Sequence, residues 1–96
     1  FTYLVITVDD RPATNLLQYF HDTYRFIDEC IEQGGRVLVH CMAGISRSAT
    51  IVIAYLMRKH QWSVDVAMQT VRQSRPIIKP NAGFRRQLAL YESCAW

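Results

Sequence analysis

Val37-Leu-Val-His-Cys41-Met-Ala-Gly44-Ile-Ser-Arg47-Ser48 is the stretch that decides the fold. Val37 to Val39 form a buried strand run, and the strand spans Arg36 to His40. A short loop follows from Cys41 to Ser46, and a helix is predicted from about Arg47 to Lys59. Backbone N–H groups in such a loop can turn inward and make a concave nest for an anion. The new helix aims its unsatisfied N–H groups and the positive end of its dipole at the same point. Gly44 permits the tight backbone that the loop needs. Cys41 lies at the base of the nest. A free cysteine titrates near ~8.5, and a helix N-terminus can lower that to ~3.5–7.5. Arg47 stands at the far side of the loop, where its planar guanidinium can hold two oxygens of one anion at once. A nucleophile below and a bidentate cation at the rim fit a tetrahedral dianion.

Working outward, Thr2 to Val8 read as another strand, rich in β-branched and aromatic residues. Asp9, Asp10, Arg11 and Pro12 stop it. Asn15 is placed to cap a helix whose Leu16, Phe20, Tyr24, Ile27 and Ile31 form one apolar stripe. Gly34 and Gly35 end that helix. The helix after Arg47 carries apolar residues on all sides, so it is expected to be central and covered. Ser63 caps a further helix running to about Ser74. Pro76 and Pro80 frame an irregular stretch, and Asn81 caps a last helix with Phe84, Leu88 and Tyr91 on one face.

The order strand, helix, strand, loop, helix has a geometric consequence. A crossover of that length joins parallel strands through a right-handed connection. Parallel strands put their carboxyl ends on one edge, where open α/β sheets bind ligands. Asp9 and Asp10 follow one such end and Cys41 the other, so they converge on one crevice. Two strands alone make a marginal sheet and cover too little of four helices. Sheet-forming sequence is therefore expected upstream of Phe1, which is not a natural initiator.

The 96 residues suffice for one small domain, half of them hydrophobic and a fifth charged. The longest apolar run, Ala49 to Met57, falls short of the roughly 20 residues that cross a bilayer, and no signal peptide is visible. Three cysteines, Cys30, Cys41 and Cys94, make no disulfide framework. They suit a reducing compartment, cytosol or nucleus, and Cys30 and Cys94 read as packing residues. No His/Cys spacing suits a metal. The net charge of +3 is carried largely by Arg58, Lys59, Arg72, Arg75, Lys79, Arg85 and Arg86. Such an excess can attract an anionic substrate, though a solvated helical surface is the plainer reading. Nucleic-acid binding has no recognisable module. His21 and His60, without sequence partners, read as surface residues, and Met42, Met57 and Met68 as filler or core.

The string HCMAGISRS, from His40 to Ser48, resembles the phosphate loop of cysteine-based protein tyrosine phosphatases in its dual-specificity form, HCxxGxxRS. Asp10-Arg-Pro-Ala-Thr-Asn15-Leu looks like that family's general-acid loop, Ala54-Tyr-Leu-Met like the stretch after the phosphate loop, and Pro80-Asn-Ala-Gly-Phe84 like the segment opening the last helix. The resemblance spans nearly the whole chain. It implies a phosphotyrosine-phosphatase-like α/β fold with a mostly parallel sheet flanked by helices. Residues 1–96 would then be a dual-specificity catalytic domain without its N-terminal strands, about two strands and four helices. The family's sheet also places another strand between the two legible ones.

The resemblance implies roles residue by residue. Cys41 attacks phosphorus and becomes a phosphocysteine. The amides of Met42, Ala43, Gly44, Ile45, Ser46 and Arg47, with the Arg47 side chain, stabilise the phosphoryl oxygens. Asp10 protonates the leaving oxygen and later takes a proton from water. It is preferred over Asp9 because the family's acid lies five residues before the asparagine, here Asn15. Ser48 stabilises the thiolate as it leaves, His40 orients the loop, and Asn81 supports the site from behind. No metal or cofactor is called for, since loop dipoles and Arg47 supply the positive field.

The implied reaction is hydrolysis of phosphotyrosine and phosphoserine or phosphothreonine on proteins, a kinase among the conceivable substrates. A pseudophosphatase that only binds phosphoproteins is the first alternative, and Cys41, Arg47 and Asp10 together weigh against it. A phosphatase of lipid, RNA or glycan phosphates is the second. Residues 42 to 46 carry no lysine of the kind that phosphoinositide enzymes often place there.

Overall fold

The computed structural model describes residues 2–6, 15–35, 37–41, 47–74 and 80–93. In chain order these form β1 (Thr2–Ile6), a 3₁₀ turn (Leu17–Tyr19), α1 (Phe20–Glu32), β2 (Val37–Cys41), α2 (Arg47–His60), α3 (Val64–Ser74) and α4 (Ala82–Ser93). Asp9, Asp10, Met42, Ala43, Gly44, Ile45, Ser46, Arg75, Lys79 and Cys94 lie outside the described residues.

β1 and β2 run parallel and are ladder partners, from Thr2 opposite Val37 to Ile6 opposite Cys41. Backbone N–H and C=O groups must find partners, and here each strand supplies the other's.

α2 lies at the centre of the helical layer, packing against α1, α3, α4 and β2. Ser48, Ala49, Thr50, Ile51, Ile53, Ala54, Tyr55 and Met57 are all buried along it. Around it the core gathers Leu16, Phe20 and Ile27 from the α1 side, Ala67 and Met68 from α3, and Phe84, Leu88 and Tyr91 from α4. Each large side chain fully buried in this way contributes about 1.5–3 kcal/mol. Phe20 and Tyr91 meet edge to face with ring centroids 4.9 Å apart, which pins α1 to α4.

The α1 stripe is shorter than its spacing suggested. Leu16, Phe20 and Ile27 are buried, but Ile31 is 45% exposed. The last turn, Glu29 to Glu32, stands clear of the core, with only Cys30 half-buried. Gly34 adopts φ +79°, and the Gly35 N–H donates to the Cys30 carbonyl at 2.9 Å, closing the helix end. α2 ends similarly around Gln61 at φ +60°, with the Trp62 N–H donating to the Met57 carbonyl at 3.0 Å.

The helix starts follow their capping residues. The Val66 N–H donates to Ser63 Oγ at 3.3 Å, and the Phe84 N–H to Asn81 Oδ1 at 2.8 Å. Asn15 accepts from the Gln18 N–H at 3.3 Å, but the turn it opens is 3₁₀, and α1 proper begins only at Phe20. Among the described residues no helix is long and apolar enough to cross a membrane.

His21 and His60 are surface residues, as expected, and the structure adds partners for them. His21 is exposed, yet its Nδ1 lies 3.0 Å from an Arg58 guanidinium nitrogen, and Arg58 sits 4.1 Å over the Tyr24 ring. Lys59 pairs with Asp28 at 2.8 Å. Part of the basic surface therefore ties α2 to α1. His60 stacks on Trp62.

Candidate active site

The site is built where β2 hands over to α2. Cys41 is the last residue of β2 and Arg47 the first of α2, so the five residues between them must turn the chain from a sheet edge into a helix N-terminus. α2 packs against β2. The first-turn amides of α2 have no intrahelical partners and, with the helix dipole, favour a negative charge there.

Arg47 is half-buried at this terminus, and Ser48 is 2% exposed beside it. A serine hydroxyl so deeply buried is held in a fixed environment. The helix that carries these residues is itself rigid, because the turns that follow are packed into the core.

The strand register positions the other half of the site. Ile6 stands opposite Cys41, so the chain leaves both strands at the same sheet edge. Asp10 follows Ile6 by four residues, a reach of at most about 14 Å. His40 lies in β2 one residue before Cys41 and pairs with Val5.

The segment that contains Asp10 rejoins the described chain at Asn15 and Leu16. Here the structure adds a residue that sequence reasoning missed. Gln87 of α4 accepts, through its Oε1, the backbone N–H groups of both Leu16 at 2.8 Å and Leu17 at 2.7 Å. The signal was available: Gln87 shares the helical face of Phe84, Leu88 and Tyr91, where a polar side chain requires a partner.

Asn81 is placed as the N-cap of α4, and α4 packs on α2 and on the 3₁₀ turn. Its visible work is to hold this helix. A separate open groove of about 450 Å³ lies between α3 and α4, lined by Ser63, Asp65, Met68, Arg72, Arg85 and Glu92 among others. There Glu92 accepts the Val64 N–H at 2.6 Å, so a carboxylate already occupies the N-terminus of α3.

Residues 1–94 match the family described as "Dual specificity phosphatase, catalytic domain". The chain belongs to that family. Among its members, a Protein phosphatase Slingshot homolog of Xenopus laevis is 50% identical over 92 residues, covering 96% of this chain and 13% of that protein. Dual specificity protein phosphatase 1 of Arabidopsis thaliana is 54% identical over 88 residues, covering 92% of this chain and 44% of its own length. The chain thus spans less than half the length of either of these relatives. Among solved structures, the human tyrosine phosphatase-like serine/threonine/tyrosine-interacting protein superposes with a TM-score of 0.92 at 46% identity, over 98% of this chain and 62% of that one. The fold is the phosphatase-like α/β fold.

Proposed function

We propose that this chain is the catalytic part of a protein phosphatase that hydrolyses phosphotyrosine and phosphoserine or phosphothreonine through a phosphocysteine. The observation that carries the reading is the placement of Cys41 and Arg47 at the two ends of a five-residue connection from a strand to a helix N-terminus. Family membership supports it.

In the first step the Cys41 thiolate attacks phosphorus. The P–S bond forms as the P–O bond to the leaving group breaks, and the Asp10 carboxyl gives its proton to the departing oxygen. The amides of Met42 to Arg47 and the Arg47 guanidinium stabilise the charge on the three equatorial oxygens. In the second step Asp10, now a carboxylate, takes a proton from water while the water oxygen attacks phosphorus. The P–S bond breaks, phosphate is released and the thiolate returns, stabilised by the Ser48 hydroxyl. His40 orients the loop and Asn81 supports it by holding α4. The sparse cysteines suit a reducing compartment, where the thiolate would persist.

Purified protein is expected to turn over a small aryl phosphate, with and without a chelator, and Cys41→Ser is expected to abolish turnover. A Cys41→Ser protein as active as the parent would sink the reading.

One observation favours a second reading, a phosphoprotein-binding module. The human relative reported above is named phosphatase-like and interacting. Stoichiometric binding of phosphopeptides without phosphate release would establish that reading instead.

A further inference from the structure

We infer that Gln87 is a positioning residue for the general-acid segment, fixing the point at which the chain that carries Asp10 enters the helical layer. This rests on the catalytic reading above. The amides that open a helix lack intrahelical partners, and here two of them, at Leu16 and Leu17, converge on the single Oε1 of Gln87 from 70 and 71 residues away. The junction is held in a second way, because the Leu16 side chain is completely buried in the core. The Tyr19 N–H donates to the Leu16 carbonyl at 3.0 Å, so the turn is bonded to that anchor.

Upstream, Ile6 is fixed opposite Cys41 by the strand ladder. Ile6 and Leu16, which flank the acid-bearing segment, are therefore each anchored, one in the ladder with the strand of Cys41 and the other on α4. Proton donation depends on placing the carboxyl within hydrogen-bond reach of the leaving oxygen, and a displacement of about 1 Å can cost on the order of 100-fold. Gln87 sets one of the two anchors without any need to touch substrate. Because α4 also packs on α2, the same helix refers the acid's anchor to the helix that bears Arg47.

The test is the dependence of rate on leaving group. Phenolate, the poorer leaving group, needs the proton, whereas p-nitrophenolate needs it less. Gln87→Met keeps side-chain length but removes the acceptor. It is expected to lower kcat/KM on phenyl phosphate about tenfold and on p-nitrophenyl phosphate less than about twofold. Gln87→Glu keeps an acceptor oxygen and is expected to restore the parent ratio of the two rates. Equal losses on both substrates in Gln87→Met, or a Gln87→Glu ratio no better than that of Gln87→Met, would overturn the inference. If Gln87→Met does not fold, Gln87→Asn, whose oxygen is drawn back by one methylene, carries the same expectation. Asp10→Asn serves as the reference. If it changes the ratio and the Gln87 variants do not, the positioning role fails alone. If Asp10→Asn leaves the ratio unchanged, the assignment of the acid fails.

Discussion

Ile6 and Cys41 stand opposite each other in the parallel ladder, each the last residue of its strand. Both strands therefore end at one sheet edge, and under the proposed mechanism this suits an acid that follows β1 and a nucleophile, Cys41, at the end of β2. The choice between the two adjacent carboxylates, Asp9 and Asp10, is open to direct test. Asp10→Asn is expected to lower kcat on an aryl phosphate by about 100-fold. Asp9→Asn is expected to change it less than about threefold. Steady-state kinetics on the two variants checks the assignment, and the reverse order would transfer the acid's role to Asp9.

Arg47 opens α2, where it is half-buried. Arg47→Lys keeps the charge but loses the planar fork. Charge-assisted hydrogen bonds contribute about 1.5–3 kcal/mol, so kcat/KM is expected to fall about 10- to 150-fold with the fold intact. A lysine variant within threefold of the parent, with unchanged circular dichroism, would show that bidentate contact is not used.

Asp28 bridges α1 and α2, accepting from Lys59 at 2.8 Å and from the Tyr55 hydroxyl at 3.1 Å. The Lys59 bond is the main cause that holds the Asp28 carboxyl below its ordinary value of 3.8, against the opposing effect of burial. A depressed carboxylate contributes stability that is present above its unfolded value and lost as pH falls through the folded one. The parent is therefore expected to lose melting temperature on acidification below about pH 3.8, and Asp28→Asn to lose less over the same range. On the alkaline side, burial first and then Asp28 push the Tyr55 phenol up to about 12. Its contribution is expected to persist up to about pH 10 and to disappear as pH rises through about 12. Thermal melts across pH of the parent, Asp28→Asn and Tyr55→Phe test both limbs.

Gln61 ends α2 with φ +60°, a left-handed backbone that disfavours a side chain. Left-handed geometry costs a non-glycine residue roughly 1–2 kcal/mol, and glycine loses part of that advantage through its greater freedom when unfolded. Gln61→Gly is expected to stabilise the protein by about 1 kcal/mol, read as a higher denaturant midpoint at unchanged slope. A lower midpoint would show that the Gln61 side chain offsets its backbone.

Local signals carried much of this fold in the sequence. The apolar run before Cys41, the cap residues Ser63 and Asn81, and the heavily apolar α2 each announce an element through a few neighbouring residues. The face of Phe84, Leu88 and Tyr91 is buried as its spacing requires. What the spacing could not show depends on where elements stop covering one another. Ile31 fits the α1 stripe yet faces solvent, because periodicity records a face and not the length of its cover. The pairing of His21 with Arg58, and of Leu16 and Leu17 with Gln87, joins positions far apart in sequence that only the fold makes neighbours. The positions of Cys41 at a strand end and Arg47 at a helix start follow from local sequence, and their roles belong to the proposed function. The bonds from Leu16 and Leu17 to Gln87 were not legible, since their acceptor comes from a different helix.

The enclosure of α2 has a further consequence for altering this protein. The rod whose amide terminus would face the anion in the proposed mechanism is also the interior beam of the domain, with few positions open to water between Ser48 and Met57. Solubility or immobilisation handles placed there would disturb both roles at once, whereas exposed positions such as Leu90 and Val66 offer ground on which the surface can be rewritten.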